Sequence, residues 1–126
     1  MGHVALASAG RSGPGKVSKV VFDRTHLTQY TMDSPELERE IIGLFMAQLP
    51  DILARLLNGS SSAEWRIATH TLKGSALAVG ACKIGDLARK LEPFTEPEQA
   101  EKRKRLLAGL VRAVDEFDDI ARQLYP

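Results

Sequence analysis

Four long stretches of the chain carry apolar residues at alternating spacings of three and four, the pattern of helices that bury one face. The first opens at Asp33–Ser34, with Pro35 at the favoured first helical position and Glu36 and Glu38 at the positive end of the dipole. Leu37, Ile41, Leu44, Phe45, Leu49, Ile52 and Leu56 form its inward stripe, and Asn58-Gly59 ends it. Pro50 interrupts this helix at a cost of ~3 kcal/mol or more. The apolar spacing nevertheless stays in phase from Phe45 through Ile52, which predicts a kink rather than a stop.

The second stretch turns Trp65, Ala68, Leu72, Ala76 and Val79 inward. It starts behind a Ser61-x-x-Glu64 capping box, at about Ser62, and closes at Gly80 in a left-handed cap. The third, Lys83 to Glu92, buries Ile84, Leu87, Ala88 and Leu91 and is stopped by Pro93. A second capping box, Thr95 to Glu98, opens the last helix. That helix runs to about Leu124 with Leu106 or Leu107, Leu110, Val114, Phe117, Ala121 and Leu124 inward. Val20 to Met32 predicts a short first helix capped by Asp23, with Val21, Phe22, Leu27 and Tyr30 packing on the main body. The expected fold is all-α, an antiparallel four-helix bundle with a short additional N-terminal helix.

Composition changes this picture only at the edges. A chain of 126 residues with 44% hydrophobic residues forms one domain with one core. Met1 to Lys19 is rich in Gly, Ser and Ala and holds Arg11, Lys16 and Lys19 with no acid. It reads as a flexible basic tail ahead of a folded domain over 20–126. The formal charge of +1 gives no sign of nucleic-acid binding. The single cysteine, Cys82, excludes an internal disulfide and a CxxC metal site. No stretch approaches the ~20 apolar residues of a membrane span. The first residues suit neither a secretory signal nor a myristoylation motif, so a soluble cytoplasmic protein is expected. His26 has no acidic or thiol neighbour at ligand spacing. The charge run on the last helix, including Lys102 to Arg105, reads as a solvated face.

The candidate chemistry lies on the outer face of the second long helix. His70 projects roughly 140–160° from the middle of the buried stripe at ~100° per residue. Lys73 and Gly74 follow three and four residues on, beside it. A solvated His–Lys pair is the ordinary reading. Gly74 argues for more, because glycine inside a helix costs about 1 kcal/mol relative to alanine and gains no packing on an exposed face. An external surface that must come close would explain it.

The run HTLKGSA, followed by Leu77, Ala78, Val79 and Gly80, resembles the HxxKG(S) signature of histidine-containing phosphotransfer (HPt) domains, the relay modules of multistep phosphorelays. Asp33–Leu56 resembles the helix that precedes the motif in that family, and LARKLE, Leu87 to Glu92, the one that follows. The resemblance covers roughly Val21 to Leu124. It implies that His70 is the phosphoacceptor, as neutral imidazole is a nucleophile near pH 7. Lys73 would offset charge on the transferring group. Glu92, where the family often has Gln or Glu, would accept a hydrogen bond from Nδ1–H and leave Nε2 to attack; a solvated helix-end glutamate is the competing reading. Gly74 and Leu77 would meet the docking partner.

The sequence shows no Gly-rich nucleotide loop, no Walker-type lysine and no carboxylate cluster for Mg²⁺. The expectation is therefore a phosphoryl carrier and not an enzyme, with no stably bound cofactor. By resemblance, its partners are receiver domains of a hybrid histidine kinase and a response regulator, which supply the aspartate and the Mg²⁺. Four helices within one chain suggest a stand-alone monomer. A receiver-binding module that carries no phosphate, and a dimeric bundle of the histidine-kinase type, are the alternatives.

Overall fold

The structure, a computed structural model, describes residues 17–59, 61–96 and 99–126. Most of the stretch read as a basic tail, and Pro97-Glu98 of the second capping box, lie outside the described residues. Among the described residues there are five α-helices and no strand: α1 (Thr25–Tyr30), α2 (Pro35–Leu57), α3 (Ser62–Val79), α4 (Cys82–Leu91) and α5 (Ala100–Leu124). Contacts close round the core, since α3 packs on α2 and α4, and α5 packs on α4 and α2. Short α1 lies against α3.

Local signals account for most helix ends. The Ser34 hydroxyl accepts from Leu37 N–H at 3.2 Å, and Pro35 follows it in the first turn of α2. Pro50 stands inside α2, which continues through it to Leu57. At α3, Ser61 accepts from Glu64 N–H at 3.2 Å while Glu64 accepts from Ser61 N–H at 3.0 Å, completing the capping box. Gly80 then takes φ 88°. Ala81 N–H reaches back to Ala76 O at 2.8 Å, the return bond of a left-handed cap. A Cβ on Gly80 would run into the carbonyl oxygen of Asp23, whose own N–H donates to Gly80 O at 2.8 Å.

That contact fixes where the chain enters the first helix. The short helix expected within Val20 to Met32 spans Thr25–Tyr30. Residues before it are held on the Gly80 turn, and positive φ at Met32 (52°) and Asp33 (61°) ends it. Asp23 Oδ1 accepts from Thr25 N–H at 2.9 Å, so the residue expected as cap does serve the start. Leu27 is buried and Tyr30 is exposed, contrary to its inward assignment. The packed chain also begins earlier than residue 20. Ser18 is buried, and its N–H donates to the buried Asp86 carboxylate at 2.8 Å.

The inward face of α2 is rotated from the expected one. Glu38, Ile42, Phe45, Leu49, Ile52 and Leu56 are buried, Ile41 is half-buried, and Leu37 and Leu44 are exposed. Phe45 and Phe22 both meet Phe117 edge-on, with centroids 5.4 and 5.1 Å away. Glu38 can occupy the interior because Arg24 pairs with it at 2.5 Å and the Tyr125 hydroxyl donates to it at 2.8 Å. Burial works against the charged carboxyl, but these two bonds outweigh it and leave its pKa below the usual range.

In α5, Leu110, Ala113, Phe117 and Ala121 are buried. Ala113 takes the inner place expected of Val114, which is half-buried with Leu106 and Leu107. Leu124, in the last turn, is exposed. Gln99 precedes α5 without a side-chain cap on the helix; its amide oxygen instead accepts from Glu96 N–H at 3.2 Å.

Candidate functional site

Helix α3 presents His70 to solvent because its other face is committed to the core. Trp65, Ala68, Thr69, Leu72, Ala76 and Val79 are all buried. The Trp65 indole N–H donates to Leu91 O at 2.9 Å, which fixes the end of α4 beside α3. Chain direction then carries Glu92, the residue after α4, to the imidazole.

The three polar residues converge. His70 Nδ1 lies 3.1 Å from Glu92 Oε2, and Lys73 Nζ donates to Glu92 Oε1 at 3.0 Å. The His70 side chain is 70% exposed, whereas those of Lys73 and Glu92 are 26% and 27% exposed. The Lys73 ammonium, and secondarily the imidazole, hold the Glu92 carboxyl below the usual carboxylate range against partial burial. An ionised carboxylate only accepts, so this contact requires the ring proton on Nδ1. In the neutral ring the lone pair then sits on Nε2, and no described residue bonds to it. The arrangement is an outward-facing nucleophile, oriented from behind, with a cation one turn away.

Gly74 lies where expected, as a Cβ added there would meet no described residue within 4 Å. Leu77 is exposed and continues the same face. Its Cδ2 stands 2.7 Å from where a Cβ on Gly85 would be, so Gly85 of α4 makes room for it. Two further apolar groups were missed as surface residues. Ile67, one turn before His70, and Leu44 of α2 are each 62% exposed. Ile67 and Thr71 border an α2–α3 groove of about 410 Å³ with Ala47, Gln48, Asp51 and Arg55. The only hint of this in the sequence is that α2 holds more large apolar residues than one face can bury.

A family model described as the Hpt domain matches residues 40–124, which include His70, Lys73, Gly74, Leu77 and Glu92. The chain belongs to the Hpt domain family. No curated protein and no solved structure matches it. Membership in this family means phosphotransfer in phosphorelays, with receiver domains as the interacting class. The matched span takes in most of α2 and all of α3 to α5, and leaves out α1 and the segment around Ser18 of this Hpt chain. Among the described residues no three His, Cys, Asp or Glu side chains group as metal ligands, and no helix is long and apolar enough to cross a membrane.

Proposed function

We propose that this Hpt chain is a stand-alone phosphoryl carrier whose His70 accepts a phosphoryl group from a receiver-domain aspartate and passes it to a second receiver. The observation that carries the reading is the Glu92 contact at Nδ1, which leaves Nε2 free and facing outward. In the forward step the Nε2 lone pair forms the N–P bond as the bond from phosphorus to the aspartyl oxygen breaks. The aspartate leaves as carboxylate. The ring becomes cationic, and Glu92 accepts from its Nδ1–H throughout. Lys73, now shared with Glu92, is close enough along α3 to offset the phosphoryl charge. Passing the group on reverses these roles.

Gly74, Leu77, Ile67 and the α2–α3 groove supply the surface on which the receiver settles. Any Mg²⁺ belongs to the receiver, and the carrier holds no cofactor and performs no autophosphorylation. The four long helices are read as an antiparallel bundle completed within one chain, which favours a monomer, and the carrier is placed in the cytoplasm with its receiver partners.

Incubation with a phosphorylated receiver domain tests the proposal. The wild type should be labelled, and His70→Gln should stay blank while keeping its helicity. The exposed position predicts a stability change under about 0.5 kcal/mol. Labelling of the variant, or of His3 or His26 in the wild type, would overturn the assignment.

A further inference from the structure

Trp65 projects about 140° round α3 from His70. On that side the end of α2 and the first half of α5 border an open groove of about 420 Å³. Its apolar lining includes Leu56, Leu57, Trp65, Leu107, Ala108 and Val111, and among the described residues its charged lining groups are Arg103 and Lys104. No residue is shared with the groove beside His70. Leu57 stays 53% exposed there despite its size.

Several cations elsewhere on the surface are neutralised by a neighbouring acid. Lys83, Arg122 and Arg55 each pair with an acid, Glu116, Asp118 and Asp51 respectively. Ala100 to Val111 instead carries Lys102, Arg103, Lys104 and Arg105 against Glu101 alone. Arg103 is held in position, with Nε donating to Phe94 O at 2.6 Å and its guanidinium 3.9 Å over the Trp65 ring. Its Nη groups form no bond to a described residue, and Lys104 has neither a hydrogen bond nor an ion pair among the described residues. An apolar trough with a fixed guanidinium and a free ammonium on its wall is complementary to an apolar ligand carrying carboxylates.

We infer that this groove docks a short amphipathic helix of a partner protein, with its apolar side chains in the trough and its acidic side chains on Arg103 and Lys104. The α5 wall from Ala100 to Val111 is about 16 Å long, or three helical turns. Small residues at Ala100, Ala108 and Gly59 let a partner backbone approach. This is the geometry of helix-in-groove recognition. Because His70 lies on another face, the docked helix leaves it accessible and can tether a partner near it, raising the effective concentration for any exchange there. The assignment stands independently of the role of His70.

The test uses a synthetic three-turn helical peptide with leucines at i, i+3 and i+7 flanked by glutamates, and a counterpart with lysines in place of the glutamates. Each is titrated into the full chain. Binding is followed by fluorescence of Trp65, the sole tryptophan, and by backbone amide shifts. The glutamate peptide should bind saturably and shift residues around Leu57, Leu107 and Val111 but not those around His70. Lys104→Glu should weaken it about tenfold, added salt should weaken it further, and the lysine peptide should not bind. Ala108→Glu, at an exposed helix position, should also block binding with an unchanged melting temperature. Absence of saturable binding, shifts centred on His70, equal affinity for the lysine peptide, or indifference to both substitutions would overturn the inference. So would concentration-dependent self-association that shifts the same groove without peptide, which would give it to a second copy of the chain.

Discussion

Two glycines of this Hpt domain separate docking from folding, because the same kind of substitution meets a different surrounding at each. At Gly74 a side chain enters open space, with no described residue within 4 Å of a Cβ. Gly74→Gln therefore keeps every internal contact and removes the helix penalty of glycine, a gain of about 0.5–1 kcal/mol. For a domain of this size that raises the melting temperature by about 2–6 °C. The same side chain stands one turn from His70, where a receiver must bring its aspartate within about 3–3.5 Å of Nε2 for transfer. Receiver binding and transfer should both fall. Gly80→Ala is the control. Its positive φ costs about 1–2 kcal/mol for a residue with a Cβ, and the Asp23 carbonyl stands in the way of that Cβ. Losing the Asp23–Gly80 hydrogen bond adds about 1 kcal/mol, so its melting temperature should drop clearly. Thermal melts and a titration with a receiver domain read both effects. A destabilised Gly74→Gln, or one that binds and accepts phosphate like the wild type, would refute the reasoning about this face.

Glu92→Ala should slow transfer about tenfold, the effect of ~1.4 kcal/mol on the barrier, with Glu92→Gln restoring part of the rate because its amide oxygen still accepts from Nδ1–H. An unchanged rate in both would remove Glu92 from the site. Since Lys73 depresses the Glu92 pKa, the stabilisation from this clamp is fully present above the ordinary glutamate pKa of about 4.3 and is lost as pH falls through the lower folded value. Acid melts of wild type and Glu92→Gln should converge there. Deleting residues 1–19 removes the Ser18 N–H bond to buried Asp86 and should cost about 1–3 kcal/mol. Deleting residues 1–16 keeps that bond, and equal melting of the two truncations would show that the contact contributes nothing.

What could be read from the sequence was what neighbours in the chain decide. The α3 stripe from Trp65 to Val79, its capping box and its Gly80 stop depend on spacing and local hydrogen bonds, and each appears as expected. The exposure of His70 and Gly74 follows from that stripe by the helix angle alone. Where two apolar rows run side by side, spacing could not choose between them. In α2 the chosen row is the one with Glu38 and Ile42, not the one with Leu37, Ile41 and Leu44. A carboxylate there is tolerable only because Arg24 and Tyr125, the latter 87 positions away, satisfy it. The place of the chain ahead of α1 was likewise settled at a distance, where Asp23 N–H donates to the carbonyl of Gly80. At the site, the motif residues were legible one by one; the His70–Glu92 contact was expected only through the family resemblance, and the Lys73–Glu92 bond was not expected. These contacts span 22 and 19 positions and exist because the buried Trp65–Leu91 contact brings the end of α4 to the middle of α3. Local pattern sets which faces a helix offers; which faces meet depends on how all the side chains fill one core, and no single stretch contains that information.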